Sequence, residues 1–93
     1  MQLGEIYKLK ESCKKTYLEE IILISNFAAK HYMLHGQVQY NMIIIADSFM
    51  DEDMLYCSSL HTTYFENEEE ILEDYDLFMT QEEYNIHLRR KRG

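Results

Sequence analysis

Glycine and proline are almost missing from this chain, which limits the places where its backbone can turn or break. Among the 93 residues there is no proline, and glycine occurs only at positions 4, 36 and 93. Since no Gly/Pro/Ser-rich linker divides the chain, residues 1–93 are expected to form a single domain. Loops that cradle phosphates are also excluded, because their motifs need several closely spaced glycines.

The apolar pattern of the N-terminal third predicts a long helix. Gly36 is the expected stop, because glycine readily adopts the left-handed conformation that ends helices. Before it, apolar residues recur at the steps of three and four that mark one face of a helix: Ile6, Leu9, Cys13, Tyr17, Ile21, Ile24 and Ala28. Residues 4–34 are therefore predicted to be helical.

Two strands are predicted to follow this helix. Residues 37–46 begin with alternating apolar and polar side chains and end in an apolar run. Residues 54–65 are rich in Tyr, Thr, Cys and Leu, which favour strands. The acidic connector 47–53 suits a wide loop between them. Because a two-stranded sheet alone is marginally stable, we expect either a third strand or pairing with a second chain.

Two capping boxes predict helix starts near the C-terminus. Asn67 with Glu70, and Thr80 with Glu83, have the spacing at which a polar side chain and an acid satisfy the first turn of a helix. Residues 75–79 fit either the first of these helices or a short edge strand. The predicted fold class is α+β: a long N-terminal helix packed on a small antiparallel hairpin or sheet, followed by one or two short C-terminal helices.

Charge is strongly segregated along the chain, whose net charge is −8. Residues 1–46 contain four acids and five bases, whereas residues 47–83 contain 13 acids and no Lys or Arg. Residues 84–93 contain four bases and no acid. Such a field attracts basic partners and repels nucleic acid. The basic tail, residues 89–93, is predicted to fray and to neutralise acids of its own chain or of a partner subunit.

The acidic segment also contains aromatic residues, unlike a purely solvating tail. Carboxylates four apart on a helix lie about 6 Å apart, close to the phosphate spacing of a nucleic-acid strand. The candidate partner-binding residues are Asp51, Glu52, Asp53, Glu66, Glu68, Glu69, Glu70, Glu73, Asp74, Tyr75 and Asp76. They predict a small non-enzymatic inhibitor or adaptor that binds a basic surface of a nucleic-acid-processing or defence enzyme. Small acidic inhibitors of viruses and mobile elements use surfaces of this class.

A structural or regulatory homodimer without mimicry is the main alternative. It depends on the widening of the apolar band after Tyr17, which would either be buried or meet a second chain. The candidate interface residues are Ile21, Ile22, Ile24 and Phe27.

A small metal-dependent enzyme is the third hypothesis. His31 and His35 are four residues apart, which on a helix would let both imidazoles bind one metal. A third ligand would have to come from His61, Cys57 or the 47–53 acids. No catalytic residue is singled out by spacing, and no cofactor is expected.

The cysteines and apolar runs favour a cytoplasmic protein without a membrane span. Cys13 and Cys57 form neither a disulfide framework nor a CxxC motif. The longest apolar runs are far shorter than the roughly 20 residues of a membrane helix, and the first residues lack the pattern of a secretory signal.

Overall fold

Most of the chain folds into one antiparallel sheet. The computed structural model describes residues 1–49, 55 and 61–92, and within them the sheet has five strands in the order β4-β3-β2-β1-β5. The strands are β1 (Ile6–Leu9), β2 (Ile21–Leu34), β3 (Gln37–Phe49), β4 (His61–Phe65) and β5 (Tyr75–Met79). Two helices, α1 (Glu68–Asp74) and α2 (Gln81–Arg92), lie near the C-terminus.

The predicted helix over residues 4–34 is wrong, and with it the predicted fold class. Residues 6–9 and 21–34 are strands, and irregular backbone joins them. Ile21 and Ile22 are both fully buried but belong to different core clusters, so β2 is covered on both faces there. In a strand that is buried on both faces nearly every residue is apolar, so some of them always have the three- and four-residue spacing of a helix. The β-branched isoleucines, which favour strands, were the better indicator.

Gly36 ends no helix but forms the turn of a hairpin. Leu34 is paired with Gln37, which leaves His35 and Gly36 as a two-residue loop between β2 and β3. Both loop residues have positive φ, 53° at His35 and 79° at Gly36. These are the signs of a type I′ turn, whose twist matches that of the strands it joins.

Several C-terminal predictions are confirmed. The Asn67 side chain accepts a hydrogen bond from the Glu70 N–H at 2.9 Å and begins α1. The Thr80 side chain and the Glu83 carboxylate accept hydrogen bonds from each other's backbone N–H at 3.2 and 3.1 Å. Residues 75–79 adopt the edge-strand alternative, as β5.

The other predicted elements agree in part. The strand predicted over residues 37–46 is extended to Phe49, and residues 47–49, predicted as loop, belong to it. Of the strand predicted over residues 54–65, residues 61–65 form β4, and residues 54 and 56–60 lie outside the described part. Residues 89–92 of the predicted basic tail belong to α2.

Apolar clusters cover both faces of the sheet. One cluster lies beneath α1 and consists of Tyr7, Ile22, Ile24, Ile44, Ala46, Phe65, Ile71 and Tyr75. The other consists of Ile6, Ile21, Phe49 and Leu55, and Tyr84 of α2 packs against it. The two helices therefore lie on opposite faces of the sheet, and α1 contacts both edge strands, β4 and β5.

Candidate protein-binding face

Helix α1 presents almost its whole surface to solvent. Ile71 is its one buried residue. Three acids, Glu68, Glu69 and Glu70, occupy the first turn, where negative charge is favoured by the helix dipole. The Glu70 carboxylate also accepts a hydrogen bond from the Glu66 N–H at 2.9 Å. Two capping hydrogen bonds thus order the start of this short acidic helix, and Ile71 is its apolar contact with the core.

The exposed carboxylates of α1 and its flanks form one surface, which we call the acidic face. It consists of Glu66, Glu68, Glu69, Glu70, Glu73 and Asp76. The Met1 ammonium pairs with Glu68, which raises the pKa of that amine through a hydrogen bond. Within the described part of the chain, no cationic group lies within 4.0 Å of Glu66, Glu69 or Glu73. These three carboxylates form no ion pair within the described part of the chain, although the charge of Glu73 contributes, after that of Asp74, to the raised pKa of Lys15.

The lysines near the acidic face lie at the C-terminal end of α1. Lys10 Nζ donates to the Leu72 carbonyl oxygen at 3.0 Å and lies 3.9 Å from an Asp76 oxygen. Lys15 Nζ lies 2.9 Å from Asp74 Oδ2. Lysines at this end complement the negative pole of the helix. They hold the helix in place, whereas at its N-terminal end the Met1 ammonium is the described cation that pairs with an acid, Glu68.

Sequence reasoning missed these lysine contacts. The basic tail was instead the predicted source of positive charge for the acidic segment. Lys15 pairs with Asp74, 59 residues away in sequence. No local signal indicates this pairing, because it depends on the loop between β1 and β2 lying against the end of α1.

Two of the predicted partner-binding residues, Asp74 and Tyr75, are partly or wholly buried within the chain. Tyr75 is only 1% exposed, and its hydroxyl donates to the Glu19 carbonyl oxygen at 2.6 Å. Burial, assisted by the charge of Glu19, raises the pKa of this phenol. Asp74 accepts hydrogen bonds from Lys15 and from Cys13 Sγ, the latter at 3.6 Å. Tyr75 therefore belongs to the core, and Asp74 connects the end of α1 to the loop between β1 and β2.

The helical carboxylate series is also shorter than expected. Helix α1 ends at Asp74, so Asp76 lies on β5, and Glu66 precedes the N-cap. Only Glu69 and Glu73 remain as an exposed, unpaired couple four residues apart on one helix. Asp51, Glu52 and Asp53 lie outside the described residues. The acidic face is therefore a compact patch instead of a long regular row.

The Asp74–Lys15 pair predicts a pH-dependent stability. The hydrogen bond and charge of Lys15 hold the pKa of the Asp74 carboxyl below its ordinary value of 3.8. A carboxyl with a lowered folded-state pKa stabilises the fold above its unfolded pKa, and this contribution is lost as pH falls through the folded value. We expect Lys15→Met to shrink the decrease in urea midpoint between about pH 5 and about pH 2.

Lys14→Met is the matched control for this measurement. Lys14 is exposed, and no carboxylate in the described part of the chain lies within ion-pair distance of it. Its loss should leave the pH profile of the wild type unchanged. Equal profiles for Lys15→Met and Lys14→Met would contradict the assigned role of Lys15.

The two candidate metal ligands are not placed as a helical pair. His31 lies in β2 opposite Tyr40, and His35 lies in the hairpin turn. A strand rises about 3.3 Å per residue, so a spacing of four residues no longer brings two residues together. Among the residues that are described, no group of three His, Cys, Asp or Glu side chains could hold a metal ion. His61 instead lies 3.8 Å from a Glu19 oxygen.

The candidate dimer residues are already covered within one chain. Ile21, Ile22 and Ile24 have no exposed surface, and Phe27 packs at the margin of the cluster beneath α1. Their apolar character is explained by the core of the sheet. A homodimer stays a prediction, and Ile21, Ile22 and Ile24 have no exposed surface to offer it.

No protein-family model matches this chain, and neither a curated protein nor a solved structure is similar to it. In the part of the chain that is described, neither helix has the length and apolar content needed to cross a bilayer.

Proposed function

We propose that this chain is a small non-catalytic interaction protein whose acidic face binds a basic surface of another protein. The observation that carries the proposal is the group of exposed carboxylates Glu66, Glu69 and Glu73, to which no described cation is paired. Exposed charges of this kind steer association and select partners of opposite charge.

The surroundings of these acids support a protein partner. Leu72 lies on the same helix and is 48% exposed. Protein interfaces commonly combine an apolar or aromatic anchor with a charged rim. A free polyanion would be repelled by the same surface, because its six exposed carboxylates outnumber the cations described near it.

The partner we infer is an enzyme that processes nucleic acid, which the chain would inhibit or recruit. Nucleic-acid-binding grooves are strongly basic and match a compact acidic patch in charge. The described acidic face has no regular row of carboxylates that would imitate phosphates, since Glu69 and Glu73 are its only unpaired helical couple. The proposal therefore depends on complementary charge and not on mimicry of a phosphate row. A reducing cytoplasm is the proposed compartment, supported by two cysteines without a disulfide framework.

The test is a triple charge reversal, Glu66→Lys/Glu69→Lys/Glu73→Lys. We expect this variant to lose the proteins that the wild type captures from lysate at low salt, with affinity for a captured enzyme lowered about tenfold or more. Its melting temperature should change little, because exposed charges contribute little to stability. Identification of the captured proteins by mass spectrometry tests the partner class.

Glu11→Lys/Glu20→Lys/Glu82→Lys is the matched control. These three glutamates are also exposed, and their reversal changes the net charge by the same amount at other places. The control should bind as the wild type does. If both triple variants lose binding equally, the attraction depends on net charge and the acidic face has no special role. If neither loses it, the acids are a solvating surface.

A further inference from the structure

The hairpin of β2 and β3 extends well beyond the rest of the sheet. β1 pairs with β2 between Ile21 and Leu23, and the last backbone bonds on that side join Gly4 and Glu5 to Ile24. On the other side, β4 pairs with β3 only as far as Ile44. Residues 27–43 thus pair only with each other among the residues described, and we call them the ribbon. Each of its strands is about 25 Å long.

The outer edge of β2 in the ribbon presents a regular row of backbone groups. Opposed residues of an antiparallel pair alternate between hydrogen-bonded and non-hydrogen-bonded. The pair that closes a two-residue turn, Leu34 and Gln37, is hydrogen-bonded. Counting back from it, Met33, His31 and Ala29 direct their N–H and C=O groups away from β3. Phe27 has the same parity, but its N–H donates to Asn26 Oδ1 at 2.8 Å. A β-bulge interrupts the register of β2 between Ile24 and Asn26. Beyond this bulge, Ile24 also directs its N–H away from β3 and donates it to the Glu5 carbonyl oxygen at 2.9 Å.

The ribbon also differs from the rest of the chain in charge. Residues 21–46 contain no acid and a single charged side chain, Lys30, whereas the whole chain has 17 acids. Protected edge strands usually carry charges or proline that prevent pairing with another chain. The ribbon has one lysine and no proline, so its β2 edge has little protection.

We propose that the β2 edges of two copies pair antiparallel across a two-fold axis and join their ribbons into one continuous sheet. An edge with outward groups at every second residue can pair with a copy of itself, as a two-fold interface requires. A two-stranded ribbon is marginal, and a sheet of more strands is stable.

Electrostatics favours a second copy as the occupant. Two chains of net charge −8 repel each other wherever their acidic segments meet. Contact through the ribbons brings together the one long stretch without acids. Antiparallel pairing of the ribbons would separate the five-stranded parts of the two sheets by about the ribbon length, roughly 25 Å. This distance is roughly three Debye lengths at physiological salt, so the two acidic faces would be screened from each other. Both acidic faces remain free in this arrangement, and the proposal does not depend on the function proposed above.

The test compares two proline variants at opposed positions of the ribbon. Ala29 and Met42 are register partners, and both direct their N–H groups outward, one at the β2 edge and the other at the β3 edge. Proline removes the outward donor without removing a bond between β2 and β3. By light scattering at tens of micromolar, we expect the wild type and Met42→Pro to have twice the chain mass of 11.3 kDa. Ala29→Pro should have the single mass.

A second variant and a direct readout keep the result clear if proline disturbs the fold. Ala29→Lys adds a charge to the same edge without changing the backbone, and it should also be monomeric. In the wild type, amide exchange at Ala29, His31 and Met33 should slow by about tenfold from dilute to concentrated solution. A monomeric wild type, a dimeric Ala29→Lys, or exchange at these amides that is independent of concentration would overturn the proposal.

Discussion

Tyr75→Ala is expected to lower the free energy of unfolding by about 4 kcal/mol, the largest effect we predict. Tyr75 is 1% exposed and begins β5 directly after α1. Its ring meets that of Phe65 edge-on, with centroids 6.3 Å apart and planes at 82°. Removing the ring leaves a cavity beneath α1 and loses this aromatic contact. Urea denaturation followed by far-ultraviolet circular dichroism measures the change.

Tyr75→Phe separates packing from hydrogen bonding at the same position. It keeps the ring but removes the hydroxyl that donates to the Glu19 carbonyl oxygen. A loss of about 1 kcal/mol is expected, since a single neutral hydrogen bond contributes about that much. Equal losses for the two variants would mean that the hydrogen bond, and not the ring, dominates the role of Tyr75.

Ile71→Ala is expected to lower the free energy of unfolding by about 3 kcal/mol. Ile71 is fully buried and is the only residue of α1 that enters the core. With this contact reduced, the seven-residue helix keeps only polar contacts with distant segments, and such short helices are unstable alone. We therefore expect the variant also to bind the partner of the acidic face more weakly, although no acid has been changed.

Leu72→Ala is the matched control at the next residue. Leu72 is 48% exposed, so its truncation should change the free energy of unfolding by less than about 0.5 kcal/mol. The two variants remove similar apolar groups from neighbouring positions. If Leu72→Ala destabilised the chain as much as Ile71→Ala, the orientation of α1 described above would be wrong. If Leu72→Ala weakened partner binding alone, Leu72 would be an anchor of the interface.

The parts of the fold that were predictable from sequence are those with local causes. The Asn67 and Thr80 caps depend on side chains that bond backbone groups three residues away, and both are confirmed. Strand β3 was found because its apolar residues fit a doubly buried strand. Residues 75–79 fitted helix and strand equally well, and pairing with β1 makes them a strand.

The N-terminal third failed because its pattern is ambiguous without the partners of β2. Ile21, Ile22 and Ile24 are each buried, and β1, β3 and both core clusters surround them. Nothing local reveals that both sides of such a run will be covered. Gly36 fits a helix end and a hairpin turn alike, and only the register between Leu34 and Gln37 distinguishes them.

The sequence by itself determined the charge segregation, the caps of both helices and the lack of acids in the ribbon. Each of these is a property of composition or of neighbours a few residues apart. Only the tertiary structure decided which acids stay unbalanced, because Lys10 and Lys15 reach Leu72 and Asp74 across about sixty residues of chain. It also decided that Tyr75 is core and that Glu66, Glu69 and Glu73 are surface. Exposure and ion pairing depend on which distant segments the sheet brings together, and no short-range pattern encodes that.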